Sequence, residues 1–131
     1  MKRDLDLIRE IVLFAETECD GINIPLVNSS KFQNPKYHSV TWAILREHIE
    51  LAEEHGLLQT SHHSGGSHIH RLTWAGHDFL INARASTVWE AAKKVAGHLT
   101  FDVFLTALTR FGTETGLALL KSQFPELFNG S

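Results

Sequence analysis

The tightest constraint on the fold lies between Ser39 and Asp78. Apolar side chains in residues 40–55 recur at helical spacing and run into Gly56. Residues 57–61 read as a short strand, Ser64, Gly65, Gly66 and Ser67 as a turn, and residues 68–73 as a second strand. Trp74, Ala75, Gly76, His77 and Asp78 then open another helix. Helix, Gly-Leu-Leu, strand, loop, strand is the order in which many small DNA-binding domains present a recognition helix and its adjoining wing. The pattern predicts a mainly α chain with a small β-hairpin, a winged helix-turn-helix-like domain followed by C-terminal helices. Residues 1–85 are expected to form that domain. Residues 86–131 form a helical extension that packs on it or makes a dimer interface.

The flanking segments fit this scheme. Residues 4–18 predict a helix capped by Asp4, with Leu5, Leu7, Ile8, Ile11, Val12 and Ala15 on one broad apolar face and a stop at Asp20-Gly21. Ile22, Asn23 and Ile24 suggest a short edge strand ended by Pro25. Residues 28–38 are polar and punctuated by Pro35, so a loop with at most one helical turn is expected where other winged helices place their second helix. In residues 40–55, with Ser39 as the expected cap, Trp42, Leu45, Ile49 and Ala52 form the inward stripe, with Ile44 and Leu51 beside it. Ala43, Arg46, Glu47, Glu50, Glu53 and Glu54 then face outward.

Thr73 is the expected cap of a helix over 74–85, and Thr87 with Glu90 matches a capping box. Val88, Ala92, Val95 and Leu99 would line the face that follows. A further helix from Phe101 carries Phe104, Leu108 and Phe111, and Gly112 and Gly116 break it before residues 117–121. Trp42, Trp74 and Trp89 are read as core residues. Phe101, Phe104, Phe111, Phe124 and Phe128 exceed what a small core needs and favour a homodimer through the C-terminal helices.

Charge narrows the function. The formal net charge is −3, so a strongly basic nucleic-acid footprint is absent, although a local patch can oppose the net charge. Nine histidines stand against twelve Lys and Arg, and unperturbed imidazoles gain charge below about pH 6.5. Cys19 is the single cysteine, which rules out an intrachain disulfide and a Cys-rich zinc site. Acids at Asp4 and Asp6 interrupt any signal-peptide core, and no membrane-length apolar run occurs, so a cytoplasmic protein is expected.

No Gly-rich phosphate loop, nucleophile elbow or HExxH motif occurs, so neither catalysis nor a cofactor is expected. His77 and Asp78 diverge by about 100° on a helix and do not make an acid–base pair, and His77 is read as packing under the hairpin. His68 and His70 fall on one side of a strand, with His62 and His63 on its partner. Nothing in the sequence fixes their convergence, and no native metal is expected.

Two binding classes remain. As a reader of double-stranded DNA, the chain would use Lys36, His38 and Arg46 in the groove, with His62, His63, His68, His70 and Arg71 of the wing on the backbone. As a protein-interaction module, it would dock Glu47, Glu50, Glu53 and Glu54 on a basic partner. The first is the leading expectation on fold, and the second accounts for the acidic helix.

The start Met1-Lys2-Arg3-Asp4-Leu5-Asp6-Leu7-Ile8-Arg9, the run His48-Ile49-Glu50-Leu51 before Gly56-Leu57-Leu58, Arg71 through Leu80, and Thr87-Val88-Trp89 together resemble a family of small, mostly phage and prophage proteins of unknown function. The resemblance covers about the first ninety residues. It implies a winged-helix-like domain in a mobile-element setting, where the alternative partner is a host protein, and it implies no catalytic residues.

Overall fold

A computed structural model describes residues 3–17, 22–23, 29–63, 66–113, 116, 118 and 122, with the backbone alone at 22–23, 62–63, 66–68 and 70. Helix α1 spans Leu5–Thr17 and buries Leu5, Leu7, Ile8, Ile11, Val12, Phe14 and Ala15. Asp4 caps it: its Oδ1 accepts the backbone N–H groups of Asp6 at 3.1 Å and Leu7 at 3.3 Å. The expected stop at Asp20-Gly21 lies outside the described residues, as do Ile24 and Pro25. Strand β1, Ile22–Asn23, is an edge strand as predicted.

Between β1 and the next helix come two single 3-10 turns, Ser29–Lys31 and Pro35–Tyr37, where a helix-turn-helix would carry its second α-helix. Asn34 starts the second turn, its Oδ1 accepting the Lys36 N–H at 3.0 Å. The segment is tied to α1 by carboxylates. Glu10, buried despite its charge, accepts the N–H groups of Gln33 at 2.9 Å and Asn34 at 3.1 Å. Phe32 packs edge-on against Phe14, ring centres 5.8 Å apart.

Helix α2 spans Trp42–Glu54. Its cap is Thr41 rather than Ser39, because the Val40 N–H bonds back to Tyr37 and keeps residues 38–40 in the preceding turn. The buried stripe is Leu45, His48, Ile49 and Ala52. Trp42 is 44% exposed, contrary to its expected core role, since it stands in the first turn before that stripe begins. The helix ends in a Schellman motif: Leu57 N–H bonds to Ala52 O and Gly56 N–H to Glu53 O, each at 2.9 Å. Gly56 supplies the required left-handed residue at φ +73°.

Strands β2, Leu58–His63, and β3, Gly66–Leu72, form the hairpin, with β3 central in the sheet order β1-β3-β2. Leu58 pairs with Leu72 and Gln59 with Arg71, then an irregularity shifts Thr60 onto Ile69. Gly66 and Ser67 belong to the strand instead of the expected turn, and Ser64 and Gly65 lie outside the described residues.

The chain divides into two units, Met1–His77 and Asp78–Ser131, with the division inside helix α3, Trp74–Ala83. Thr73 caps α3 as expected, its Oγ1 accepting the Gly76 N–H at 3.0 Å, and donates that hydroxyl to Gly56 O. Trp74 is 88% exposed and His77 is also exposed. Both expectations of packing fail for one reason: α3 turns Gly76, three residues from Thr73, toward Leu57, and the side chains flanking it point away.

In the second unit, helices α4, Ser86–Ala96, and α5, Phe101–Phe111, pack together. Trp89 is fully buried and meets Phe79 and Phe104 edge-to-face at 5.8 and 5.2 Å, which fulfils its core assignment. The expected Thr87 capping box does not form. Helix α4 begins one residue before Thr87, Ala85 occupies the cap without a side-chain bond, and Glu90 pairs with Lys93 at 3.2 Å instead. Its buried residues are Val88, Trp89, Ala91, Ala92 and Ala96; Leu99 falls beyond the helix and is 44% exposed. Thr100 caps α5, which buries Phe101, Phe104 and Leu108 and ends at Gly112. Phe124 and Phe128 lie outside the described residues.

Candidate functional site

The outward face of α2 is built by helical spacing. Ala43, Glu47, Glu50 and Glu54 recur every three or four residues and form one axial row, all exposed. Glu53, half-buried, borders it. At the N-terminal end of the helix Trp42 and Ile44 are 44% and 37% exposed, so an indole and an aliphatic side chain stand beside the acidic row. Arg46, the cation of this helix, is held by Glu50, Nε to Oε1 3.3 Å, with both side chains largely in solvent.

The other sequence-predicted contacts are scattered over several elements. Lys36 is exposed in the second 3-10 turn, its ammonium 5.4 Å from the Tyr37 ring centre. His38 is exposed, and its Nε2 lies 2.6 Å from Phe32 O, so the nitrogen donates there in the tautomer that makes this bond. Arg71 is exposed on β3 and donates its Nε–H to Gln59 Oε1 at 2.7 Å. His62 and His63 lie on β2 and His68 and His70 on β3, with their side chains outside what is described. Among the described residues, no three His, Cys, Asp or Glu stand together as a metal site requires.

Charge is unevenly divided. Met1–His77 holds seven Lys and Arg against ten Asp and Glu, and so carries the chain's entire formal charge of −3. Among the described residues, no helix is long and apolar enough to cross a membrane.

Sequence reasoning misplaced Trp42 and assigned His48 to neither face of the helix, although spacing held the signal for His48. His48 lies three residues from Leu45 and is fully buried: its Nε2 accepts the Asp4 N–H at 2.9 Å and its Nδ1 donates to Ile44 O at 2.7 Å. That pair of bonds fixes the tautomer with the proton on Nδ1.

Residues 2–101 match a family described as a hypothetical protein, DUF2513, in keeping with the resemblance to a family of unknown function. A Haemophilus influenzae protein described as uncharacterized is 29% identical over 112 residues, spanning 82% of this chain and 89% of that protein. No solved structure matches the chain.

Proposed function

We propose that this chain, which belongs to the DUF2513 family of hypothetical proteins, is a non-catalytic winged-helix module that docks the outward face of α2 on a basic protein surface. The observation that carries this reading is the composition of that face. Glu47, Glu50 and Glu54 form a row, Trp42 and Ile44 are exposed beside it, and Arg46 is engaged by Glu50. An exposed indole rimmed by charge is the anatomy of a protein-binding hot spot, where the aromatic anchors and the charges steer and select. The same row repels a phosphate backbone, and a single paired arginine neutralises little of it. In a mobile-element setting the partner is a host protein with a basic patch, such as an enzyme whose DNA-binding surface the acidic helix mimics. Exposed Leu99 and Val103 of the second unit support a homodimer through the C-terminal helices.

The second reading is a DNA-binding regulator, favoured by the hairpin that follows α2 and by exposed Lys36, Arg46 and Arg71. Fold alone does not choose between the two. A crosslinked capture of the tagged chain from its native host, divided into nuclease-treated and untreated halves, does choose. The proposal expects one stoichiometric protein that survives nuclease and is lost in Glu47→Lys with Glu50→Lys. Discrete DNA fragments that vanish with nuclease, with no protein retained, would establish the regulator instead.

A further inference from the structure

A groove of about 940 Å³ opens in the first unit, and Glu53, which borders the outward row of α2, is among the residues that line it. Its floor is Leu58 and Leu72, directly paired across the hairpin and both buried. One wall is Trp74 and His77, three residues apart on the first turn of α3 and therefore on one face. That wall is fixed in place, because Gly76 lets the α3 backbone sit directly on the Leu57 carbonyl, where any Cβ would clash. Arg71 and Gln59, which also line the groove, are register partners on β3 and β2, joined by the 2.7 Å Nε–H to Oε1 bond. This bond orients the guanidinium plane and leaves its two Nη amino groups with no partner among the described residues. Glu16 and Glu53, each already engaged, also line the groove.

The groove is unlike an accidental surface dent in two respects. Trp74 leaves its indole 88% exposed, which forgoes the burial that normally justifies a tryptophan. Arg71, within three residues of it, is half committed to Gln59 and half open. An apolar floor, an aromatic plate and one oriented guanidinium within a volume typical of small-molecule sites match a ring that carries a single acid group. We propose that this groove binds a planar aromatic monocarboxylate. The ring stacks on Trp74 over Leu58 and Leu72, and the carboxylate takes the paired N–H donors of Arg71. The positive end of the α3 dipole adds to the attraction for an anion. Glu16 and Glu53 disfavour a second negative charge, so a carboxylate is selected over a phosphate dianion.

The test is an amide and indole NMR titration of the full chain with 2-naphthoate, beside 2-naphthyl phosphate and 2-naphthylmethylammonium. Saturable shifts of the Trp74 indole N–H and the backbone N–H groups of Arg71, Thr73 and His77 are expected, with nuclear Overhauser contacts from the naphthalene protons to the Trp74 ring. Trp74→Ala and Arg71→Gln each weaken naphthoate at least tenfold, and the phosphate and ammonium probes bind the native chain at least tenfold more weakly. Both substitutions change exposed side chains, and unchanged amide shifts in α1 and α2 certify the fold. The site is refuted by the absence of saturable shifts, or by naphthoate binding that neither substitution alters. Phosphate or ammonium binding as tight as naphthoate overturns the ligand class. The contacts to Trp74 are measured on the native chain, so the proposal stands or falls even if a variant misfolds.

Discussion

The Tyr37 hydroxyl donates to the Asp4 carboxylate, 2.8 Å from Oδ1 and 2.7 Å from Oδ2, across 33 residues of sequence. Tyr37 is buried, and burial is the main cause of an upward push on its hydroxyl, followed by its bond to Asp4 and the negative charges of Asp4, Asp6 and Glu10. The folded state therefore holds this proton more tightly than the unfolded chain, where tyrosine titrates near pH 10. Stability from this group is complete below about pH 10 and is lost above it, by about 1.4 kcal/mol per pH unit. Tyr37→Phe should remove that alkaline limb and cost about 1.5–3 kcal/mol at neutral pH, the range for a hydrogen bond to a charged group. Urea melts of both chains between pH 7 and 11 measure the two effects together. A native-like alkaline limb in Tyr37→Phe would assign the loss to other groups.

His48 ties α2 to the start of α1 through the Asp4 N–H. His48→Leu keeps the volume roughly but leaves that N–H without an acceptor, and is expected to cost about 1–3 kcal/mol. His48→Asn shortens the reach and should not rescue it. Thermal unfolding followed by circular dichroism reads the loss, and faster amide exchange at Asp4 and Leu7 would localise it to the cap.

Glu10 should behave differently from an ordinary surface acid. Its two oxygens each accept one backbone N–H, from Gln33 and Asn34. Glu10→Gln retains one acceptor and turns the other into a donor facing a donor, so a loss of about 1–3 kcal/mol is expected. Exchange at Gln33 and Asn34 should rise in step, whereas Glu54→Gln, on an exposed residue, should leave both unchanged.

What sequence reasoning captured was local. The caps Asp4 and Thr73, the Gly56 stop and the apolar faces of α1 and α5 rest on interactions within a few residues, which spacing and residue type record. What it missed depends on partners far along the chain. His48 is buried because Asp4 lies 44 residues away, and Glu10 because Gln33 needs an acceptor. Trp74 was read as core from its place beside the helix cap, yet Gly76 decides which side of α3 faces inward, through a contact with Leu57 that no periodicity encodes. Residues 28–38 were expected as a loop with at most one helical turn, and the described part carries two 3-10 turns held by long-range bonds that spacing does not record: Glu10 accepts the Gln33 and Asn34 N–H groups, and Asp4 accepts the Tyr37 hydroxyl. The candidate site was legible as an acidic row, but its exposed indole was not.

Two glycines separate two mechanisms. A Cβ at Gly56 meets nothing within 4 Å, yet its φ of +73° penalises an L side chain. Gly56→Ala should cost about 1–2 kcal/mol, with Gly56→Asn recovering part of it because Asn tolerates the left-handed region. Gly76 has an ordinary helical backbone, but a Cβ there strikes the Leu57 carbonyl. Gly76→Ala should cost about 1–3 kcal/mol, and Gly76→Asn should be worse than Ala. Parallel denaturant series reveal the crossover: Asn helps at one position and harms at the other.

Arg46→Ala discriminates the two functional readings most cleanly, because it barely disturbs the fold. The Arg46–Glu50 pair is an exposed i, i+4 contact, with side chains 65% and 48% in solvent. Its loss should change stability by less than about 0.5 kcal/mol. Releasing Glu50 makes the α2 face more acidic by one charge. A basic partner should then bind as well as before or more tightly, with a steeper salt dependence between 50 and 300 mM. A DNA regulator would instead lose its groove cation and most of its affinity. Titrating the captured partner, and a random-sequence duplex, against both chains therefore gives opposite signs for the two readings from one substitution.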